Sequence, residues 1–105
     1  MSERVVVFVT AKNQQEAQQI ANALVNERLA ACVNVVPAVW SVYRWAGQVE
    51  EDQETLLIVK SRRAVLDRLI ERVHALHSYD VPEIIALPLV AGDETYLRWL
   101  DEQVQ

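Results

Sequence analysis

Two histidines are the residues of this sequence best suited to holding a borderline metal ion. His74 and His77 lie three positions apart in a segment with helical spacing, so their side chains can approach each other. Imidazole nitrogen is a good ligand for copper, zinc and nickel. In the alternative interpretation, His74 is solvated and His77 hydrogen-bonds at the end of its helix, where an imidazolium meets the negative end of the helix dipole. The spacing alone leaves both interpretations open.

A carboxylate follows the histidines at the start of an apolar segment. Glu83 stands between Pro82 and Ile84, and a carboxylate buried there needs a partner. His77 and Tyr79, six and four residues earlier, are the candidate partners. An ordinary surface charge is the alternative interpretation.

A second carboxylate, Glu54, lies where an acidic segment gives way to the apolar run 55–59. Lys60 or a neighbouring chain is its candidate partner, and a surface carboxylate is again the alternative. The acidic residues in 50–54 lack the glycine and the alternating ligands of a calcium loop. We interpret them as a solvated strand edge that charge protects from stray pairing.

The remaining chemistry-bearing residues favour structure over catalysis. Cys32 stands between Ala31 and Val33 and is interpreted as a small buried hydrophobe, with a soft-metal ligand as the alternative. The sequence contains no nucleophile elbow, glycine-rich phosphate loop, CxxC pair or HExxH helix.

Composition limits the class of protein. The 105 residues predict one domain spanning 1–105, and an apolar fraction of 51% favours a subunit interface. A net charge of −5 without a basic run makes nucleic acid an unfavourable partner. The N-terminal apolar run is too short for a signal peptide, and no segment approaches the ~20 apolar residues of a membrane span. One cysteine rules out an internal disulfide framework, so we expect a soluble, cytoplasmic protein.

The element that must position these groups is a long hairpin from Ala31 to Lys60. Ala46 and Gly47 are predicted to form its two-residue turn, which pairs residues whose numbers sum to 93, such as Tyr43 with Glu50. Pro37 predicts a bulge in the first strand. Three large aromatic side chains near the turn cannot be covered by so small a monomer, so we expect them to face another subunit. These side chains are Trp40, Tyr43 and Trp45.

Periodicity predicts the other elements as a βαββαβ order plus a C-terminal helix, the ferredoxin-like α+β sandwich. The first two predicted parts are a central strand Val5–Val9 covered on both faces and a helix that opens with an Asn13–Glu16 capping box and reaches about Leu29. The others are a helix capped by Ser61, an edge strand from about Val81 to Val90, and a last helix opened by Gly92 and Asp93.

Several spaced motifs, in order, resemble the CutA divalent-cation tolerance proteins over nearly the whole chain. They are ACVN at 31–34, S-x-Y-x-W-x-G at 41–47, Glu54 with Lys60, HxYxxPEI at 77–84, and Gly92 with Tyr96 and Trp99. The resemblance implies a tight homotrimer whose hairpins reach across to neighbours and an association with copper and other divalent cations. The trimer is also similar to nitrogen-regulatory signalling proteins, which bind small effectors between subunits.

The chain departs from this family at the positions implied for copper. The resemblance implies a cysteine at the end of the first strand and two adjacent histidines before the tyrosine, whereas this chain has Val9 and Leu76 at two of those positions. Only His77 remains of that set.

The leading hypothesis is therefore a non-enzymatic homotrimer linked to divalent-cation tolerance, with no required cofactor and with Cu²⁺, another divalent cation or a small anionic or polar molecule as ligand. Its predicted metal ligands are His77 and Glu83, and its predicted intersubunit cleft is formed by Tyr79, Glu54, Tyr43, Trp45 and Lys60. The second hypothesis is a small-molecule sensor or adaptor. The third, an enzyme using His77 and Glu83 as acid and base, has the least support.

Overall fold

An antiparallel four-stranded sheet is the frame of the molecule, described here for residues 3–105 of a computed structural model. Its strands are β1 (Arg4–Ala11), β2 (Cys32–Trp45), β3 (Gln48–Arg62) and β4 (Ile84–Pro88). Its helices are α1 (Gln14–Asn26), α2 (Leu66–Leu76) and α3 (Glu94–Gln103). The order along the chain is the predicted βαββαβ with a C-terminal helix, so the ferredoxin-like α+β fold is confirmed.

The strand order across the sheet is β2-β3-β1-β4. β1 pairs with β3 on one side and with β4 on the other, which confirms its central position. β4 forms one edge, as its prolines predicted, but it is shorter than the predicted 81–90 segment. Residues 81–83 precede the strand as a loop and are free to form part of a site.

The two faces of the sheet are covered very differently. Val5, Val7 and Val9 of β1 are buried in a core to which all three helices contribute. Val6 and Phe8, which point the other way, are only partly buried, so the prediction that β1 is covered on both faces was wrong for the single chain. The register places further apolar side chains beside them. We define the open face as Val6, Phe8, Ile58, Ile85 and Leu87.

The long hairpin has the predicted turn and register. Ala46 and Gly47 both have positive φ, 52° and 80°, as the two central residues of a type I′ turn require. Tyr43 pairs with Glu50, and the register shifts between Val36 and Val39, which confirms the bulge at Pro37. The outer half of the hairpin extends the molecule to 44 Å along its longest axis.

Two helix boundaries differ from the sequence prediction. Asn13 does cap α1, its Oδ1 accepting the Glu16 N–H at 2.9 Å, but the helix ends at Asn26 instead of Leu29. The helix stops because Arg28 adopts a left-handed conformation with φ of 60°. Leu29 is then buried outside the helix as the chain returns towards the sheet.

The predicted cap of the second helix was wrong. Ser61 is fully buried within β3, where its hydroxyl donates to the Leu29 carbonyl at 2.6 Å. The helix α2 begins at Leu66 after a short 3-10 turn, without a side-chain cap. This hydrogen bond therefore holds the segment that follows α1 against β3.

Within residues 3–105, no helix combines the length and the apolar character needed to cross a bilayer.

The Ser61 hydroxyl predicts a measurable stability effect. Ser61→Ala leaves the Leu29 carbonyl without its side-chain donor in a buried position, and we expect a loss of about 1–3 kcal/mol in the free energy of unfolding. Urea unfolding followed by circular dichroism measures it. Thr95→Ala, at an exposed position of α3, is the matched control and should change stability by less than about 0.5 kcal/mol. Equal stabilities for the two variants would contradict this role of Ser61.

Candidate functional site

An open cleft of about 620 Å³ lies between the hairpin and the segment that joins α2 to β4. The hairpin supplies the aromatic wall, and residues 79–83 supply the facing wall. The lining residues are Thr10, Trp40, Ser41, Val42, Tyr43, Trp45, Glu54, Tyr79, Asp80, Val81 and Glu83. The volume lies within the range of ~300–1,000 Å³ that is usual for small-molecule sites.

A tyrosine and a carboxylate join the two walls at the base of the cleft. The Tyr79 hydroxyl donates to Oε2 of Glu54 at 2.9 Å, and Glu54 is only 9% exposed. Desolvation by burial, together with this hydrogen bond, raises the pKa of Tyr79 well above its usual value. Tyr79 is therefore a hydrogen-bond donor at neutral pH and not a base.

A similar pair lies farther out on the hairpin. Tyr43 pairs with Glu50 across the ladder, but its hydroxyl donates diagonally to Asp52. That hydrogen bond, with desolvation and the neighbouring acidic residues, raises the pKa of Tyr43 to about 12. Both cleft tyrosines thus keep their protons and use them to hold carboxylates.

His77, the predicted metal ligand, does not line the cleft. It is the C-cap of α2, and its side chain is fully buried. Nε2 lies 2.7 Å from the Thr10 carbonyl, and Nδ1 accepts the Tyr79 N–H at 3.1 Å, so Nε2 carries the proton and donates. Both ring nitrogens are therefore engaged with the backbone, and the imidazole orients Tyr79, whose ring centroid lies 4.7 Å away.

Glu16 is the second anchor of this segment, and the sequence identified it only as part of a helix cap. Its Oε1 accepts the Lys12 N–H at 3.1 Å, and its Oε2 accepts the Ser78 N–H at 2.9 Å. Burial pushes the pKa of Glu16 upwards, but the hydrogen bonds from Ser78 and Lys12 and the neighbouring His77 outweigh it, so the pKa is below its usual value. Glu16 and His77 together fix the start of the cleft wall.

The other predicted residues are divided between the cleft and the rest of the sheet. Glu83 lines the cleft and is exposed, whereas Lys60 lies six residues along β3 from Glu54 and donates to Asn34. The structure thus brings together Tyr43, Trp45, Glu54, Tyr79 and Glu83, but neither His77 nor Lys60 lines the cleft with them. In the described part of the chain, no group of three or more His, Cys, Asp or Glu side chains is arranged to hold a metal ion.

Sequence reasoning also missed several cleft residues. Asp80 and Val81 belong to the quoted 77–84 motif, so they were within reach, but they were not assigned to the site. Thr10 had no local signal, because it comes to the cleft from the end of the central strand.

Comparison with known proteins places this geometry in a family. A family model described as CutA1 divalent ion tolerance protein matches residues 5–103. The chain belongs to this family. The resemblance seen in the sequence motifs is thereby confirmed.

Individual CutA proteins are similar along most of the chain. The divalent-cation tolerance protein CutA of Thermus thermophilus is 56% identical over 97 residues, which are 92% of this chain and 94% of that protein. The chloroplastic Protein CutA of Arabidopsis thaliana is 52% identical over 96 residues, 91% of this chain, and the chain spans about half (53%) of that longer protein. The solved structure of the T. thermophilus CutA1 protein superposes with a TM-score of 0.95 at 53% identity, covering 97% of this chain and 99% of that one.

The Glu16 anchor predicts a pH-dependent stability effect. Glu16→Gln keeps one carbonyl oxygen and turns an amide N–H₂ towards the second backbone donor, so we expect a loss of about 1–3 kcal/mol in unfolding free energy at pH 7. Because the folded pKa of Glu16 is lowered, its contribution is present above about pH 4.3 and is lost as pH falls through the folded pKa.

Urea unfolding of wild type and Glu16→Gln at pH 7 and pH 3 measures both effects. Glu102→Gln, on the exposed side of α3, is the control and should match wild type. A difference between Glu16→Gln and wild type that is as large at pH 3 as at pH 7 would show that the carboxylate charge is not the cause.

The raised pKa values of the tyrosines predict that their hydroxyls lose protons at a higher pH in the folded protein than in the unfolded chain. All three tyrosines of the chain, Tyr43, Tyr79 and Tyr96, have raised pKa values, in Tyr96 through burial and the neighbouring Cys32. The unfolded chain loses these protons near pH 10, so folding stability should fall as pH rises above 10. Ultraviolet absorbance at phenolate wavelengths checks this expectation. A folded protein that forms phenolate with a midpoint at or below pH 10 would contradict it.

Proposed function

We propose that this member of the CutA1 family is a non-enzymatic homotrimeric binding protein, linked to divalent-cation tolerance as the family's name states, whose ligand occupies the cleft. The observation that carries the assembly is the open face. Ile85 and Leu87 on this face are 54% and 55% exposed, whereas the core side chains of α1 and α2 pack against the opposite face. Side chains of this kind gain ~1.5–3 kcal/mol each on burial. A second copy of the chain is the covering surface that the family resemblance implies.

The shape of the single chain supports assembly. Its surface of 6,587 Å² exceeds the ~6,000 Å² usual for a monomer of 12.0 kDa. Its radius of gyration is 14.1 Å, whereas a domain of this length has about 13 Å. The excess comes from the hairpin, whose Trp40 and Trp45 are 66% and 54% exposed.

The chemistry of the cleft supports binding over catalysis. Its tyrosines hold their protons above neutral pH. The buried imidazole of His77 has both nitrogens engaged, with the Thr10 carbonyl and the Tyr79 N–H. An acid–base pair needs a group that can exchange a proton with a substrate. The other titratable groups of the lining are the carboxylates of Glu54, Asp80 and Glu83, so an acid–base pair would have to be built from carboxylates alone.

A second candidate function is that of a small-molecule sensor or adaptor, which signals through a partner protein. The cleft volume of about 620 Å³ favours it, because a bare metal ion needs far less space. The sensor shares its binding site with the first candidate, and the two differ in whether the bound protein then contacts a partner.

The predicted metal pair of His77 and Glu83 stays a prediction. A metal ion on Nδ1 of His77 would displace the Tyr79 N–H, so binding there requires the segment 77–79 to rearrange. Calorimetric titration of Cu²⁺ and Zn²⁺ into wild type, Glu83→Gln and His77→Ala tests this pair. Loss of a stoichiometric site in both variants would support the pair, and indistinguishable titrations would reject it. The predicted cytoplasmic location also stays a prediction, and the name of the Arabidopsis relative assigns that protein to the chloroplast.

The assembly proposal predicts the behaviour of a hairpin variant. Trp40→Asp places a charge on the outer hairpin, where we propose that a neighbour packs, and it should shift the mass in solution from three times 12.0 kDa towards one chain at micromolar concentration. Size-exclusion chromatography with light scattering measures the mass. Val25→Asp on α1, where Val25 is 43% exposed, is the matched control and should leave the trimer intact. A wild-type protein that elutes as a monomer would refute the proposal.

A further inference from the structure

Within residues 3–105 of the single chain, the cleft contains a largely buried carboxylate, Glu54, that forms no ion pair with a basic side chain. Glu54 is 9% exposed, and its only hydrogen-bond donor among residues 3–105 is the Tyr79 hydroxyl on Oε2. Within the same residues Oε1 has no hydrogen-bond partner, and Glu54 takes part in no ion pair. Lys60, the partner expected from the sequence, donates to Asn34 instead. Among the described residues, Oε1 is not one of the fully buried atoms that lack a partner, so this oxygen is accessible from the cleft. A positively charged group in the cleft could therefore form a charge-assisted hydrogen bond with it.

The rest of the lining adds to this charge. Asp80 and Glu83 belong to the facing wall, and no lysine, arginine or histidine is among the lining residues of the described chain. An anionic ligand would therefore meet only like charges, which argues against the anionic molecule considered from the sequence. The electrostatics of the cleft select for a cation.

The size and the aromatic wall decide which kind of cation fits. A divalent metal needs several oxygen or nitrogen ligands at ~2.0–2.6 Å, and the described residues offer no cluster of three such groups. Trp40, Tyr43, Trp45 and Tyr79 instead present aromatic rings around a volume of about 620 Å³. Aromatic faces attract ammonium and guanidinium groups and also cover an apolar body.

We propose that the cleft binds a small organic cation, an ammonium or guanidinium group carried on an apolar body, with Glu54 as its counter-ion and the hairpin aromatics as its walls. This inference rests on the proposed function and names the ligand class of the same site. Glu54 binds the charge, Tyr79 holds the carboxylate in place, and Glu83 and Asp80 attract the ligand from the facing wall.

Three probes with the same ring and different charge test the inference on the assembled protein purified without added metal. They are benzylamine, which is a cation at pH 7, benzyl alcohol, which is neutral, and benzoate, which is an anion. Calorimetry and tryptophan fluorescence should give benzylamine a dissociation constant at least about tenfold below that of benzyl alcohol, with no binding of benzoate. Benzylamine affinity should also fall with added salt.

Variants assign the effect to the cleft. Glu54→Gln keeps a carbonyl oxygen for the Tyr79 hydroxyl and removes the charge, so it should weaken benzylamine about tenfold and leave benzyl alcohol unchanged. Glu83→Gln, at an exposed position, should weaken benzylamine by a smaller factor and supplies the test if Glu54→Gln fails to assemble. Glu71→Gln on α2, outside the cleft, is the control and should bind all probes as wild type does.

The outcomes separate the two proposals. Equal affinity for benzylamine and benzyl alcohol, or binding of benzoate, overturns the cationic class and leaves the cleft as a binding site. Unchanged benzylamine affinity in both Glu54→Gln and Glu83→Gln overturns the assignment of these carboxylates as the groups that attract the cation. If none of the probes binds to the trimer, both this inference and the cleft as ligand site fall, whereas the assembly proposal is judged by its own mass measurement.

Discussion

The structure depends on a sheet that is apolar on both faces. The helices α1 and α2 cover one face, and α3 contacts the other face at Arg4 and Cys32. Period-two alternation sends Val7 into the core and Phe8 to the open face, and β3 and β4 place Ile58 and Ile85 beside Phe8. These five side chains are already about half buried, so covering them would gain roughly half of ~1.5–3 kcal/mol each. The sum, about 4–8 kcal/mol, lies at the low end of the ~4–15 kcal/mol that association is thought to cost. The open face alone is therefore marginal as an interface, and in the proposed assembly the exposed aromatic side chains of the hairpin would add to the buried area.

The bulge at Pro37 links this constraint to the cleft. On the core side of the bulge, β2 and β3 are part of the four-stranded sheet. On the side of the hairpin turn, they continue as a two-stranded ribbon. Thr55 fixes the bulge by donating its hydroxyl to the Pro37 carbonyl at 3.0 Å, and the adjacent Glu54 meets Tyr79 there. The element proposed for assembly and the wall of the cleft are therefore one continuous structure, so ligand binding and assembly are expected to be coupled.

The spacing of residues along the chain predicted the fold well. It predicted the contacts of the site only where the contacting residues are near each other in sequence. The hairpin turn and register followed from Ala46 and Gly47, whose conformations set the pairing of every residue as far as the bulge. The role of His77 depends on the Thr10 carbonyl, 67 residues earlier, and that of Glu16 on the Ser78 N–H, 62 residues later. No periodicity encodes such contacts, so the sequence did not predict them. The Ser61 cap failed for a related reason, because its long-range partner Leu29 competes with the local capping pattern.

The central claim is that the outer hairpin, residues 38–53, is stabilised by a neighbouring copy of the chain. An isolated two-stranded ribbon is marginally stable in water, so its amides would exchange rapidly in a monomer. Hydrogen–deuterium exchange with mass spectrometry at a concentration where the protein is assembled tests the claim most directly. We expect amides in 38–53 to be protected nearly as strongly as those of the central strand β1. Exchange of the outer hairpin within seconds, while β1 remains protected, would contradict the claim.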